Sequence, residues 1–403
     1  MRLVNGIYDF LKTCILGAAD NNQQRPYTMS IPQNSKIAVI CAYNRGNSGM
    51  YSVDLAAHDF FSRHNVNFSM FCSQARNLAE TSNYGKMTIK TFRSISELEG
   101  FTHIVYWGDF QNSPYYGQRD FSIRERSFGL SIDDQSAFQK WLELFALSEG
   151  RPESVRRVVS VGNNFQNGFE LSPDLRLRTL NGFNTNFDVV LPRDPQSLYS
   201  LHRQFDSSFY DKAELGMDTA FLLPSQEYVE PKPHHKKTLG FFFGRSGIKN
   251  RRDIVRAVAR QLGLEAVRIG PWLPGDVMTV RNKFPRMLTR MRDSAFILTD
   301  TYHCCVNGMN LGTPVIGLGV AATSQVGSLG DYKKAELFAM LGLSDMYVPL
   351  KADTADKTEI TKIAEIAQYV NASRNFTERR YAPLRAAKAR FEARLLKALA
   401  YAR

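Results

Sequence analysis

The sequence predicts an α/β protein built from two doubly wound domains, and three observations carry that prediction. Short apolar runs of strand length alternate with helical stretches along the chain. Most of these runs end in a Gly, Asn or Asp turn, as parallel strands do where their carboxyl ends line a ligand crevice. A single proline-rich stretch at 224–237, PSQEYVEPKPHHKK, interrupts the alternation and divides the chain.

Residues 1–35 read as an amphipathic helix and a polar tail, NNQQRPYTMSIPQNS. The first domain, 36–225, has strands expected at 37–42, 66–71, 103–107, 157–162 and 187–191, with a last strand-like piece at 218–223. A helix is expected at 53–62, after the loop Tyr43 to Gly49. The linker occupies 226–237. Its His234 and His235 are exposed residues rather than a metal pair, because neighbours on an extended chain point in opposite directions. The second domain, 238–375, has strands expected at 239–243, 266–269, 295–298 and 315–318, with a helix at 252–262. Residues 376–403 form a basic amphipathic helix with Leu384, Phe391, Leu395 and Leu396 towards one side. Packing back over both domains is the preferred reading of this helix; peripheral contact with a membrane and binding to RNA are the others.

The central stretch is SAFILTDTYHCCVNGMNLGTPVIGLG, 294–319. Thr299, Asp300 and Thr301 supply N-cap chemistry after the first strand, and Gly312 with Pro314 stops the helix before the second. His303 falls in the first helical turn, beside backbone N–H groups that favour anions. The blander readings are a core histidine for His303, a simple cap for Asp300, and surface charges for Arg245 and Lys333.

Composition sets further bounds. With 51 Lys+Arg against 39 Asp+Glu the formal net charge is +12, which suits an anionic partner without choosing one. Cys14, Cys41, Cys72, Cys304 and Cys305 show no CxxC spacing, so neither a zinc site nor a disulfide framework is expected. No stretch of membrane-spanning length is apolar, and the amino-terminal segment lacks the form of a secretion signal.

Two doubly wound domains with a proline-rich linker and a closing carboxyl-terminal helix resemble the outline of GT-B-like transferases, in which each domain is Rossmann-like. The local motifs are more specific, and together they resemble the polysaccharide pyruvyl transferase family. They are Gly46-Asn47, Trp107-Gly108-Asp109, Arg193-Asp194-Pro195-Gln196-Ser197, and Asp218-Thr219-Ala220-Phe221-Leu222-Leu223. Further matches are Thr299-Asp300 with His303, Gly312 with Pro314, and Lys333 ahead of Leu341-Gly342-Leu343. The resemblance spans roughly 36–350, in the family's order. The family usually has Arg where Thr301 stands, so another cation is expected to grip the donor, and Arg245 is the candidate.

The resemblance implies transfer of the enolpyruvyl unit of phosphoenolpyruvate to two hydroxyls of one sugar, giving a cyclic ketal, in cell-surface glycan or exopolysaccharide biosynthesis. On that reading His303 is the general acid, with Asp300 beside it. Arg245, Lys333 and the Thr301 turn bind the donor, and Asn47, Asp109, Gln111 and Asn164 read the acceptor's hydroxyls. Phosphoenolpyruvate is a co-substrate; no cofactor or metal is expected. The acceptor is a sugar or lipid-linked oligosaccharide, with no specific nucleic acid partner, and the location is cytoplasmic, at or near the inner face of the membrane. Three alternatives stand: a GT-B glycosyltransferase using a nucleotide sugar, a non-enzymatic polyanion binder with strongly salt-dependent binding, and a family member that keeps the fold without the transfer activity, an option that Thr301 leaves open.

Overall fold

A computed structural model describes residues 30–44, 46–73, 85–166, 172–204, 207–229, 231, 238–270, 272, 283–320, 331–373 and 375–400. Arg45, His234, His235, Cys14 and nearly all of the expected amino-terminal helix lie outside them.

The first domain is a six-stranded parallel sheet: β1 (Lys36–Cys41), β2 (Asn67–Cys72), β3 (Ile89–Thr91), β4 (His103–Asp109), β5 (Arg157–Asn163) and β6 (Val189–Leu191), in the order β3-β2-β1-β4-β5-β6. β4 is buried along its whole length, as a central strand covered on both faces must be, and its residues are accordingly a near-continuous apolar run. Helices α1 (Ser48–Arg63), α2 (Asp134–Phe145), α3 (Pro173–Asn186) and α4 (Pro195–Gln204) cover this sheet. α1 starts five residues before the position read from sequence. Asn47 caps it, accepting the N–H groups of Gly49 at 2.9 Å and Met50 at 3.2 Å, so residues that look like a loop form the first turn.

The second domain is a five-stranded parallel sheet: β7 (Thr238–Phe242), β8 (Glu265–Arg268), β9 (Ser294–Thr299), β10 (Val315–Val320) and β11 (Tyr347–Leu350), in the order β11-β10-β9-β7-β8. Its helices are α5 (Arg251–Leu262), α6 (Lys283–Arg292), α7 (Tyr302–Asn310), α8 (Tyr332–Met340) and α9 (Lys357–Ala372). In each sheet the strand order reverses once, between β1 and β4 and between β7 and β9. Loops that leave these strand pairs diverge to opposite faces and open a crevice. The two crevices face one another.

The piece at 218–223, read from sequence as a strand, is instead a 3-10 turn, Thr219–Leu222. Asp218 caps it by accepting Ala220 N–H at 2.9 Å. Its apolar residues are buried like a strand's, but they pack on α1 and join no sheet.

The domains are sutured rather than merely linked. Asn310 on α7 donates to Leu223 O at 2.8 Å and Ala220 O at 3.2 Å, and Asn307 donates to Ser52 Oγ at 3.0 Å. Gln226, at the start of the expected linker, donates to Leu311 O at 2.8 Å. One apolar core runs through both domains.

The final described helix, α10 (Ala382–Leu399), crosses back to the first domain. At its start Tyr381 O–H donates to Thr313 O and accepts Val315 N–H in the second domain. At its end Leu399 O lies 3.0 Å from His103 Nε2, and Arg157 donates to Ala400 O at 3.3 Å. Leu384, Phe391 and Leu395 are buried beneath it. This gives the GT-B-like outline its closing helix. None of the described helices is long and apolar enough to cross a membrane.

Candidate functional site

The crevice of the first domain is lined by the loops after β1 and β4. Ala42, Asn44, Asn47 and Met50 come from one side, Phe110 and Gln111 from the other, around a cavity of about 170 Å³. Tyr43, in the β1 loop, has φ of 42°, a left-handed conformation unusual for a bulky residue and found most often at functional sites. Gly108 at the end of β4 has φ of 61°, and a Cβ there would meet Val53 at 2.5 Å, so this strand end requires glycine. Arg245 closes the cavity from the second domain, and Tyr116, Asp120 and Arg124 complete its wall. Gln111 Oε1 is buried without a hydrogen-bond partner, leaving an acceptor at the rim of this cavity.

Behind Phe110 lies a cation cluster. Arg193, fully buried, pairs with Asp109, sits 3.4 Å from Asp194 and 3.9 Å from Asp218, and lies over the rings of Tyr302 at 4.8 Å and Phe110 at 5.7 Å. Its Nη2 has no hydrogen-bond partner. Lys333 lies over the same two rings, at 5.2 Å and 5.5 Å. Burial, reinforced by Arg193, pushes the Lys333 ammonium down to about 8. A surface charge it is not. Three carboxylates surround Arg193, whereas Lys333 has no ion pair among the described residues, so Lys333 is the poorly solvated cation of this cluster with charge to offer an anion.

His303 stands beside this cluster. Its Nε2 is 3.5 Å from Asp218 Oδ2, an ion-pair contact at the outer edge of a hydrogen bond. Its ring lies on the backbone of Gly49, where a Cβ would fall 2.5 Å from Nδ1, so the close approach of α7 to α1 depends on that glycine. Burial raises the affinity of Asp218 for a proton, but His303, Arg193 and the Ala220 N–H outweigh it and hold this carboxyl below its ordinary value. The His303–Asp218 pair therefore joins an imidazole from one domain to a carboxylate from the other.

Asp300 is engaged by the loop after β7. Its two oxygens accept the N–H groups of Gly244 at 2.8 Å, Arg245 at 3.0 Å and Ser246 at 2.9 Å, which fixes the loop after β7. Thr301 donates its hydroxyl to Asp300 at 3.0 Å and its N–H to Thr299 Oγ at 3.1 Å, so both groups are spent inside the turn. Lys334, next to Lys333, donates to Asp300 O and to Ser246 Oγ and pairs with Asp331. The residues expected to grip a donor thus divide: Arg245 and Lys333 face the crevice and its cluster, while Thr301, together with Asp300, builds the scaffold that presents Arg245.

The expected acceptor residues also divide. Asn47 and Gln111 share the 170 Å³ cavity. Asp109 is bound to Arg193 behind it. Asn164 holds Gln166, accepting its N–H at 2.8 Å, and Gln166 in turn donates to Glu336 Oε2 at 2.9 Å across the domains. Burial, then Asp194, pushes the Glu336 carboxyl up to about 8. Arg193, Asp218, Tyr302, Phe110 and Glu336 were not singled out as site residues from sequence. Arg193 and Asp218 do stand in the Arg-Asp-x-x-Ser and Asp-x-Ala-Phe motifs, which was the signal available.

Comparison with known proteins adds the following. The family model of polysaccharide pyruvyl transferase matches residues 127–321, just under half of the chain and the family that the motifs resemble. No curated protein sequence matches. Among solved structures the chain is similar to a Listeria monocytogenes protein assigned as a UDP-N-acetylglucosamine 2-epimerase, at 12% identity and TM-score 0.50 over 92% of this chain and 96% of that one. It is also similar to the UDP-GlcNAc 2-epimerase of Methanocaldococcus jannaschii, at 10% identity and TM-score 0.48 over 84% and 93%. Anabaena Alr3699/HepE, solved with UDP and glucose, gives 11% identity and TM-score 0.40 over 90% and 97%. At these identities the first likeness shows the two-sheet fold and nothing of the chemistry.

Proposed function

Since residues 127–321, which hold the Arg193, Asp218 and Thr299–Pro314 motifs, match the polysaccharide pyruvyl transferase model, we propose that this protein transfers the pyruvyl unit of phosphoenolpyruvate onto two hydroxyls of one sugar in polysaccharide biosynthesis. The observation that supports this reading best is the buried cation pair Arg193 and Lys333 beside His303. Phosphoenolpyruvate brings a carboxylate and a phosphate to one small molecule, so its site needs more than one cation in a confined space. Arg193 offers an unpartnered Nη2 for one anionic group, Lys333 a point charge for the other, and Arg245 a third cation across the cavity.

In the reaction a proton passes to the methylene carbon, positive character develops at the neighbouring carbon, and a sugar oxygen bonds there. The second hydroxyl then displaces phosphate and closes the ketal. His303, held by Asp218, delivers the proton. The carboxylate stabilises the imidazolium before transfer and keeps one ring nitrogen oriented. Arg193 and Lys333 take up the charge of the departing phosphate. Asn47 and Gln111 stand where sugar hydroxyls would enter.

The test is release of inorganic phosphate from phosphoenolpyruvate by the purified protein with candidate glycan acceptors, alongside calorimetric titration with the donor. Saturable binding that Arg193→Lys and Lys333→Met each weaken is the expected result. Binding of a nucleotide sugar, with no binding of phosphoenolpyruvate at millimolar concentration, would replace this reading with the glycosyltransferase one.

A further inference from the structure

A second pocket, apart from the crevice, lies on the outer side of the second domain where α5 packs on the edge of its sheet. Its volume is about 380 Å³, and its lining is of two kinds: Phe241, Phe243, Val255 and Ala266 form an apolar wall, and Arg251, Arg252, Arg256 and Arg268 surround it. β8, which contributes Ala266 and Arg268, is the edge strand of the sheet. Among the described residues only Arg256 of the four has an ion pair, with Asp253 at 3.6 Å, and both partners are exposed. Arg252 and Arg256 are four residues apart on one helix face, where like charges destabilise the helix. Arg251 and Arg252 also occupy the first turn of α5, where the helix dipole favours acidic side chains. Solubility needs no such concentration of one charge around an aromatic wall. A bound anion with an apolar or aromatic body would satisfy both parts.

We infer that this pocket binds a diphosphate ester, with the diphosphate held by the arginines and its organic group against Phe241 and Phe243. Three arginines without an acidic partner among the described residues match the charge of a diphosphate better than that of a single carboxylate. Guanidinium groups also suit it in shape, because they present paired N–H donors to phosphate oxygens. Phe243 stands two residues before Arg245, which lines the crevice, so one short loop separates the two sites along the chain. The ligand is then the carrier end of the sugar acceptor, anchored outside the crevice while its sugar reaches in. That identification as a carrier rests on the pyruvyl-transfer reading; the binding of a diphosphate does not. Nucleoside diphosphates and prenyl diphosphates share this chemistry.

The experiment titrates the full-length protein with uridine diphosphate, farnesyl diphosphate and inorganic pyrophosphate, in wild type and in the triple variant Arg252→Ser/Arg256→Ser/Arg268→Ser. All three positions are exposed, and a thermal melt checks that the variant is folded. One of the two esters is expected to bind more tightly than pyrophosphate. The triple variant should weaken it by roughly tenfold or more, the size of one lost charge-assisted hydrogen bond, while phosphoenolpyruvate affinity stays unchanged. Preference for the uridine compound marks a nucleotide carrier, and preference for the farnesyl compound a lipid one. Phe241→Ala should weaken the preferred ester without changing pyrophosphate. The inference is overturned if neither ester binds wild type, if the triple variant binds both as wild type does, or if pyrophosphate binds as tightly as either ester. Should phosphoenolpyruvate fail to bind while an ester still requires the arginines, the pocket stands and the pyruvyl-transfer reading falls.

Discussion

The two crevices of this molecule arise in the same way, and one is open while the other is filled by the protein itself. Between β1 and β4 the loops leave a cavity with Gln111 Oε1 unpartnered at its edge. Between β7 and β9 the corresponding space holds the Asp300 carboxylate, which takes the three amides of Gly244, Arg245 and Ser246. Such amides are the groups that could otherwise bind a ligand's phosphate. The anion site of the second domain is satisfied internally, and its fixed loop presents Arg245 to the opposite crevice. A buried aspartate in a ligand-binding motif therefore need not touch ligand. Asp218, which stands in a motif but was assigned no role, carries the imidazole contact.

That contrast can be tested directly, beginning with the largest effect. His303→Ala should cut phosphate release by about 10²- to 10⁴-fold, the range for loss of a general acid, with donor affinity nearly unchanged. Asp218→Asn should lower turnover in the same direction by less. A fully active His303→Ala variant would remove the imidazole from the chemistry. Asp300→Ala should act on the fold instead, leaving three amides without an acceptor and costing about 3 kcal/mol or more in chemical denaturation. If it were as stable as wild type but inactive, Asp300 would be catalytic and the contrast would fail.

The next test concerns pH. The Lys333 ammonium titrates near 8 in the folded protein, below its ordinary 10.5, so donor affinity should fall as pH rises through about 8. Lys333→Met should bind more weakly and lose that dependence. In stability the sign is opposite: the unfolded chain holds the Lys333 proton between about 8 and 10.5, so this residue makes the ligand-free fold more stable as pH rises through that window. Glu336 gives the smallest effect. Its folded value, near 8, lies above the ordinary 4.5, so its contribution to stability is present at low pH and lost as pH rises from about 4.5 through about 8. Across that range Glu336→Gln should show a flatter melting temperature than wild type. Parallel pH profiles would show that the bridge to Gln166 does not depend on the proton.

Much of the fold was legible because strands of a parallel sheet, buried on both faces, leave apolar runs that need no partner to be recognised. Two of the four edge strands, β3 and β11, were not. β3 has three residues, and β11 contains Pro349, so neither carries a pattern of its own. Residues 218–223 misled because burial looks the same in a strand and in a 3-10 turn packed on a helix. At the site, His303, Lys333 and Arg245 could be picked out because each stands near the start of a helix or the end of a strand. Arg193 could not, since its meaning comes from Asp109 and Asp218, which only the folded chain brings to it. Thr301 was weighed as the position lacking a cation. In the fold its neighbour Tyr302 lies under Arg193 of the first domain, so a cation reaches that turn from across the crevice.

The contact between His103 and Leu399 spans 296 residues. α10 is synthesised after both sheets, yet it covers the strand end at His103, whose imidazole burial pushes down to about 4. During translation the first domain must therefore wait, partly uncovered, for a helix made long afterwards, and contacts of such separation form slowly. Until α10 docks, the apolar surface that Leu384, Phe391 and Leu395 cover is left open, the kind of surface through which incompletely folded chains associate.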